Sequence, residues 1–263
     1  MRGVTFFETW LAHYKPNPRA QLRLFCFPFA GGGASVFRAW PAEVIPQIEV
    51  CPVQLPGREN RLADAPFTRV SAVVETLAPL LLPYLDRPFA LFGHSLGGLI
   101  SFELARVLRR DYGKAPSHLF VAGCAAPQIA DPQPPIYNLP EPEFVSELRR
   151  LKGTPEGVLQ QPELMQMLLP GLRADFELGS TYEYVAEPPL ACPISAFGGL
   201  GDPEISRADL QAWREHTDST FVVRMLPGEH FFLLDTREQL LRMIALDLRQ
   251  IINAPAPARS LGS

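Results

Sequence analysis

Ser95, Asp202 and His230 stand in an order that acyl-transfer chemistry uses: a serine, then an acid to orient the base, then the base. Ser95 lies in the run Phe-Ala-Leu-Phe-Gly-His-Ser-Leu-Gly-Gly from Phe89 to Gly98. A serine hydroxyl is a poor nucleophile until it is held in the open and a base removes its proton. Here a short apolar run ends in Gly-x-Ser-x-Gly. A helical pattern follows at once, in Leu99, Ile100, Phe102, Leu104, Ala105, Val107 and Leu108. That strand, tight turn and helix is the setting of a nucleophile elbow. Gly93 and Gly97 let strand and helix approach closely while Ser95 takes a strained backbone conformation. A glycine-rich turn with an ordinary serine has the same spacing, but its position between strand and helix favours the nucleophile.

Five histidines compete for the role of base. His94 adjoins the serine, where neighbouring side chains diverge, and reads as structural. His13 precedes the first strand, His118 begins a strand, and His216 ends a surface helix. His230, in Gly-Glu-His-Phe-Phe-Leu, follows the last strand, and a loop leaving the carboxyl end of a strand is where the base is expected. Asp202 follows an earlier strand through Gly198-Gly199-Leu200-Gly201 and is the expected acid, although an aspartate before Pro203 also suits a plain turn. Asp218 falls at the opposite end of the sheet, Asp235 at the start of the last helix, and Asp175 inside an insertion. Donors for an oxyanion are expected from the N–H of Leu96 and from the loop Phe27-Pro28-Phe29-Ala30-Gly31-Gly32-Gly33, through Phe29 or Ala30. No Lys-Ser/Thr follows Gly33, which excludes a phosphate-binding P-loop.

Strand-like runs at Leu22 to Phe27, Glu49 to Val53, Phe89 to Phe92, His118 to Ala122, Pro193 to Phe197 and Phe221 to Leu226 must position these groups. Helical spacing spans Val36 to Ile45, Val70 to Leu85, Leu96 to Arg110, Arg207 to His216 and Arg237 to Ile252. Strands alternating with helices predict an α/β chain with a mainly parallel sheet, covered on both faces. The interval after His118–Ala122 is far longer than a connection needs. It opens with the proline-rich stretch Pro127 to Pro142 and continues in helix-like stretches at Pro142 to Leu151, Pro162 to Leu169 and Gly171 to Val185. An insertion there, about 127–185, is expected to lie over the carboxyl ends of the strands as a lid. The remainder reads as a single domain, 1–263, with a disordered tail at 255–263.

The chain has 263 residues, 47% of them hydrophobic, and a formal net charge of −4, so no nucleic-acid footprint is present. Met1 to Arg19 carries Glu8 and His13 where a leader would need an unbroken apolar stretch. No apolar segment is long enough to cross a membrane as a helix. Cys26, Cys51, Cys124 and Cys192 lack metal-ligand spacing and read as buried thiols of a reducing compartment, the cytoplasm.

Four segments carry a resemblance: Phe-Pro-Phe-Ala-Gly-Gly-Gly (27 to 33), Gln-Leu-Pro-Gly-Arg-Glu-Asn-Arg (54 to 61), Gly-His-Ser-Leu-Gly-Gly (93 to 98) and Gly-Glu-His-Phe-Phe-Leu (228 to 233). From about Leu22 to Leu248 the chain resembles the type II thioesterases, free-standing α/β-hydrolases that accompany polyketide synthases and nonribosomal peptide synthetases. The segment 54 to 61 separates these from generic esterases. The resemblance implies an α/β-hydrolase fold and a cytoplasmic hydrolase of antibiotic-type biosynthesis. Its action would be removal of stalled or aberrant acyl units from the phosphopantetheine arm of acyl or peptidyl carrier proteins. It also implies no metal or cofactor of its own, no nucleic-acid or membrane partner, and a monomer. Carrier proteins are acidic around their pantetheine, so Arg58 and Arg61 are candidates for a basic rim; the other reading is solvated or internally paired loop arginines. Arg106, Arg109 and Arg110 are expected on the solvent face of their helix. The competing readings are a carboxylesterase or acyltransferase for free small esters or thioesters, and an inactive binding module, against which the intact serine, acid and base argue.

Overall fold

In the computed structural model, residues 9–11 and 13–253 are described; the tail 255–263 and residues 1–8 and 12 of the N-terminal segment considered above lie outside them. The apolar runs form six strands: β1 (Leu22–Phe27), β2 (Ile48–Pro52), β3 (Phe89–His94), β4 (His118–Ala122), β5 (Ile194–Gly199) and β6 (Phe221–Leu226). They pair in the order β2-β1-β3-β4-β5-β6, every pair parallel. Residues of β1 to β5 are buried on both faces, which is why these strands read as near-continuous apolar runs, interrupted in β1 and β2 by the paired Arg23 and Glu49, rather than as alternations.

The helices are α1 (Val70–Leu81), α2 (Leu96–Tyr112), α3 (Glu141–Leu151), α4 (Pro162–Ser180), α5 (Arg207–Gln211) and α6 (Arg237–Ile252), with single turns between. One core joins Phe25, Phe27 and Leu91 to Val73, Leu77, Ile100 and Leu104 of α1 and α2. The other joins Leu24, Phe92 and Phe120 to Trp40 and to Leu241, Ile244 and Leu248 of α6. The edge strand β2 is shielded by the chain before β1: the Gln54 N–H donates to the Trp10 carbonyl at 2.7 Å and the Asn17 N–H to Glu49 at 2.8 Å. Covering an edge in this way removes a template for pairing with other chains.

Two expectations change at proline. The helix expected over Val36 to Ile45 is two short turns, Ala34–Phe37 and Trp40–Glu43. Pro41 has no N–H to continue a helix from Phe37, so it starts a new turn instead. The stretches expected on either side of Pro170 are one helix, α4, ending at Ser180 rather than Val185. A proline inside a helix costs about 3 kcal/mol; burial of Met165 and Leu169 before it and of Leu172, Ala174 and Leu178 after it offsets that cost. Arg207 to His216 likewise divides into α5 and a 3-10 turn, Ala212–His216.

The segment between β4 and β5 has its own cluster, with Phe144, Leu148, Leu159, Met165, Leu169 and Leu172 packed together. Its end of α3 reaches loops of the sheet's carboxyl edge: Arg150 pairs with Glu204 at 2.8 Å and Lys152 with Glu229 at 2.6 Å.

Candidate active site

Ser95 follows β3 and caps α2 with φ 51° and ψ −119°, a region that residues with a side chain avoid. Two glycines make the turn possible. A Cβ on Gly93 would lie 2.0 Å from the Gly97 carbonyl oxygen, and one on Gly97 would lie 2.2 Å from that of Phe27. The Ser95 N–H donates to the Ala122 carbonyl at 2.8 Å, which ties the turn to the end of β4. The start of α2 then directs the Leu96 N–H outward, because the first amides of a helix have no acceptor within it.

Asp202 and His230 meet. His230 Nδ1 lies 2.9 Å from Asp202 Oδ2, and Asp202 Oδ1 accepts from the N–H groups of Glu204 at 2.9 Å and Ile205 at 3.2 Å. Burial opposes charge on Asp202, but the hydrogen bond and charge of His230 and the two amides outweigh it and hold the carboxyl below its ordinary 3.8. An ionised carboxylate only accepts, so Nδ1 carries the proton and the lone pair of His230 sits on Nε2. The loops bearing the two residues are laced together. Leu200 donates to the Leu226 carbonyl and Gly201 to that of Gly228, both at 2.8 Å.

His94 has the structural role expected of it. Its ring is fully buried and donates from Nε2 to the His230 carbonyl at 2.8 Å, so the residue before Ser95 holds the backbone of the base. Burial disfavours the imidazolium, as does the charge of His230, and lowers the pKa to about 3, leaving the ring neutral. Phe29 packs edge-on against His94 at 5.5 Å and against Phe231 at 4.8 Å, which brings the loop after β1 to the same place. Phe29 and Ala30 both lie in that loop; the Phe29 carbonyl accepts from the Gly32 N–H at 2.9 Å, closing a tight turn.

Arg58 and Arg61 do not form the expected rim. Arg58 is only 7% exposed and meets Asp175 of α4 through two bonds of 2.6 and 2.7 Å. Arg61 pairs with Asp64 at 2.7 Å and lies over the Trp10 ring at 4.2 Å. Both follow the internally paired alternative. Arg106 also departs from its expected solvent face: it is buried against Glu103 and Glu187. His216 is buried too, not on a surface helix, and bonds to Gln128 at 2.5 Å; His118 bonds to Ser195 at 2.9 Å. The four cysteines are free and buried, and burial pushes the Cys124 and Cys192 thiols up to about 12.

A cavity of about 180 Å³ lies between the loop after β1 and the insertion, with Gly31, Gly57, Gly153, Leu168 and Leu172 in its walls. A larger cleft of about 1080 Å³ runs beside β2, with Tyr14, Arg23, Glu49 and Arg87 in its lining, and none of Ser95, Asp202 or His230 lines it.

The all-parallel sheet, the elbow between β3 and α2 and the helices on both faces define an α/β-hydrolase. A family model described as "Thioesterase domain" matches residues 22–248. The chain is 47% identical over 252 residues to the gramicidin S biosynthesis protein GrsT of Aneurinibacillus migulanus, spanning 96% of this chain and 98% of that one. It is equally 47% identical over 246 residues to a Brevibacillus parabrevis protein named linear gramicidin dehydrogenase LgrE, spanning 92% and 94%. Among solved structures, the type II thioesterase BorB from the borrelidin biosynthetic cluster matches with a TM-score of 0.84 and 38% identity, over 92% of this chain and 98% of that chain. The chain belongs to the thioesterase family.

Proposed function

We propose that this chain is a type II thioesterase that hydrolyses acyl thioesters on the phosphopantetheine arm of carrier proteins, clearing stalled or aberrant units in polyketide or nonribosomal peptide biosynthesis. The observation that carries the chemistry is the His230 Nδ1–Asp202 Oδ2 bond, which leaves Nε2 as the base, on a ring 5.1 Å from that of His94, the residue before the strained Ser95. Ser95 Oγ attacks the thioester carbonyl while Nε2 takes its proton. Asp202 holds the tautomer and stabilises the imidazolium without accepting the proton itself. The oxyanion receives the N–H of Leu96 and that of Ala30 or Phe29. The pantetheine thiolate leaves with the proton from Nε2, giving acyl-Ser95. Water attacks that ester with Nε2 again as base, and the acid departs. The segment 127–185 serves as the lid of a single domain, a reading supported by the contacts of Arg150 and Lys152 with the loops carrying Asp202 and His230. The enzyme uses no cofactor of its own and works as a cytoplasmic monomer on acyl or peptidyl carrier proteins.

Incubation with several acyl-loaded carrier proteins, read by mass spectrometry, and with the matching acyl-pantetheines and nitrophenyl esters tests the substrate class. Faster release from the carriers is expected, with Ser95→Ala losing turnover on all of them. A preference for the small esters defeats the carrier reading; unchanged turnover in Ser95→Ala removes the nucleophile.

A further inference from the structure

The segment Gln54 to Arg61 supplies no reacting group, yet its polar side chains converge on the loop after β1. Gln54 is fully buried; its Oε1 accepts from the Ala34 N–H at 2.8 Å and its Nε2 donates to the Arg58 carbonyl at 3.2 Å. Glu59 Oε1 accepts from the Ser35 N–H at 3.2 Å and from its hydroxyl. Arg58 Nη1 donates to the Gly32 carbonyl at 3.1 Å, and its Nε and Nη2 hold the Pro56 carbonyl at 3.3 Å. Asp175 completes the frame from α4: Oδ2 accepts both the Gly31 N–H and Arg58 Nη1 at 2.7 Å, while Oδ1 takes Nη2 at 2.6 Å. α4 comes close enough because its Gly171 has no side chain; a Cβ there would sit 2.5 Å from the Gly57 carbonyl oxygen.

Successive peptide groups of one loop are therefore pinned individually. The Phe29–Ala30 peptide is fixed by the Gly32 N–H on its carbonyl, Ala30–Gly31 by Asp175, Gly32–Gly33 by Arg58, Gly33–Ala34 by Gln54 and Ala34–Ser35 by Glu59. Stability alone does not call for an ion pair here, since an apolar pair of similar volume often serves a buried site as well or better. An apolar pair, however, neither accepts from Gly31 nor donates to Gly32. We propose that Arg58 and Asp175 are positioning residues for the oxyanion: they orient the 29–31 peptides so that the N–H of Ala30 or Phe29 faces the developing charge. Through them, α4 of the insertion is coupled to the chemical step. This inference rests on the serine-nucleophile reading of Ser95.

The double variant Arg58→Met/Asp175→Leu removes the pair without stranding a charge. Arg58→Lys keeps the charge but loses the fork that reaches Gly32 and Pro56. Both are measured for thermal unfolding, for kcat and KM on an acyl-pantetheine, and for the Ki of an alkyl boronic acid, whose tetrahedral adduct with Ser95 carries the oxyanion. Expected in the double variant is a fall in kcat of about 10²-fold, the scale of an ångström-sized misplacement. KM should stay within about threefold and the boronate Ki should weaken in parallel with kcat. Arg58→Lys should lose about tenfold in both kcat and boronate affinity and remain folded. If the double variant does not fold, Arg58→Lys decides. Unchanged kcat in a folded variant, or a raised KM with boronate affinity intact, overturns the proposal. Wild-type and Ser95→Ala controls separate this from failure of the underlying reading: a wild-type enzyme that does not bind the boronate, or an active Ser95→Ala, removes the nucleophile itself.

Discussion

His230 draws on two neighbours with different duties. Asp202 accepts from Nδ1 and fixes which nitrogen is basic, while His94 donates to the His230 carbonyl and fixes where the ring starts from. Asp202→Asn tests the first duty. An amide that keeps its hydrogen bonds from Glu204 and Ile205 through oxygen turns its NH₂ toward Nδ1, which then accepts and leaves the proton on Nε2. Steady-state kinetics at neutral pH should show kcat lower by about 10⁴-fold with little change in thermal stability; a loss under tenfold removes Asp202 from the mechanism. The Asp202–His230 contact and the strained turn at Ser95 were legible in the sequence because the chemistry expected of them restricts both residue type and strand-end position. Arg58 was not. Its partner Asp175 lies 117 residues away in sequence, and nothing in either local pattern signals a pairing that only the packing of α4 creates.

Glycine spacing governs how β3 meets α2. The hypothetical Cβ of Gly97 meets backbone atoms of Phe27 and Pro28, none of which can yield as a side-chain tip would. Gly97→Ala is therefore expected at or above the top of the overpacking range, about 3 kcal/mol, in urea unfolding, with loss of Ser95 labelling by a fluorophosphonate. Gly157→Ala, in a helical turn with nothing within 4 Å of its Cβ, should instead be neutral or stabilise by up to about 1 kcal/mol. Equal effects of the two would break the close-approach argument. At this scale the sequence was readable where the apolar pattern is regular: the fully buried β1 and β4, the half-buried β6 and the amphipathic α6 have the expected bounds. It was less readable at proline, because the residue's local effect is the same everywhere while its outcome depends on packing. Pro41 begins a turn near the chain's surface connections, whereas Pro170 is carried inside α4 by apolar contacts on both sides.

Across the whole molecule, three buried histidines make stability depend on acid. Desolvation is the leading cause in each, lowering His94 from 6.5 to about 3 and His118 and His216 to about 4. Unfolded, these rings protonate near 6.5; folded, they stay neutral until the pH approaches those lower values. The unfolded chain thus binds more protons through that window, and stability present above 6.5 is lost as the pH falls through it. With three rings contributing, the slope near pH 5 approaches about 4 kcal/mol per pH unit. Urea unfolding at pH 7, 6 and 5 checks it, and a flat unfolding free energy across that series would contradict burial of neutral rings. The placement of the insertion has a different consequence. It leaves and rejoins the sheet between strands that lie side by side, Leu119 against Ile194 through Ala122 against Phe197. The entropy of closing such an excursion grows with the logarithm of its length, about 0.6 kcal/mol per doubling. Residues added within the proline-rich stretch before α3 therefore cost the sheet little. A single residue added inside α4 ahead of Asp175 rotates everything beyond it by about 100° and takes the carboxylate off Gly31. The space above the sheet is elastic in length at one end and locked in phase at the other.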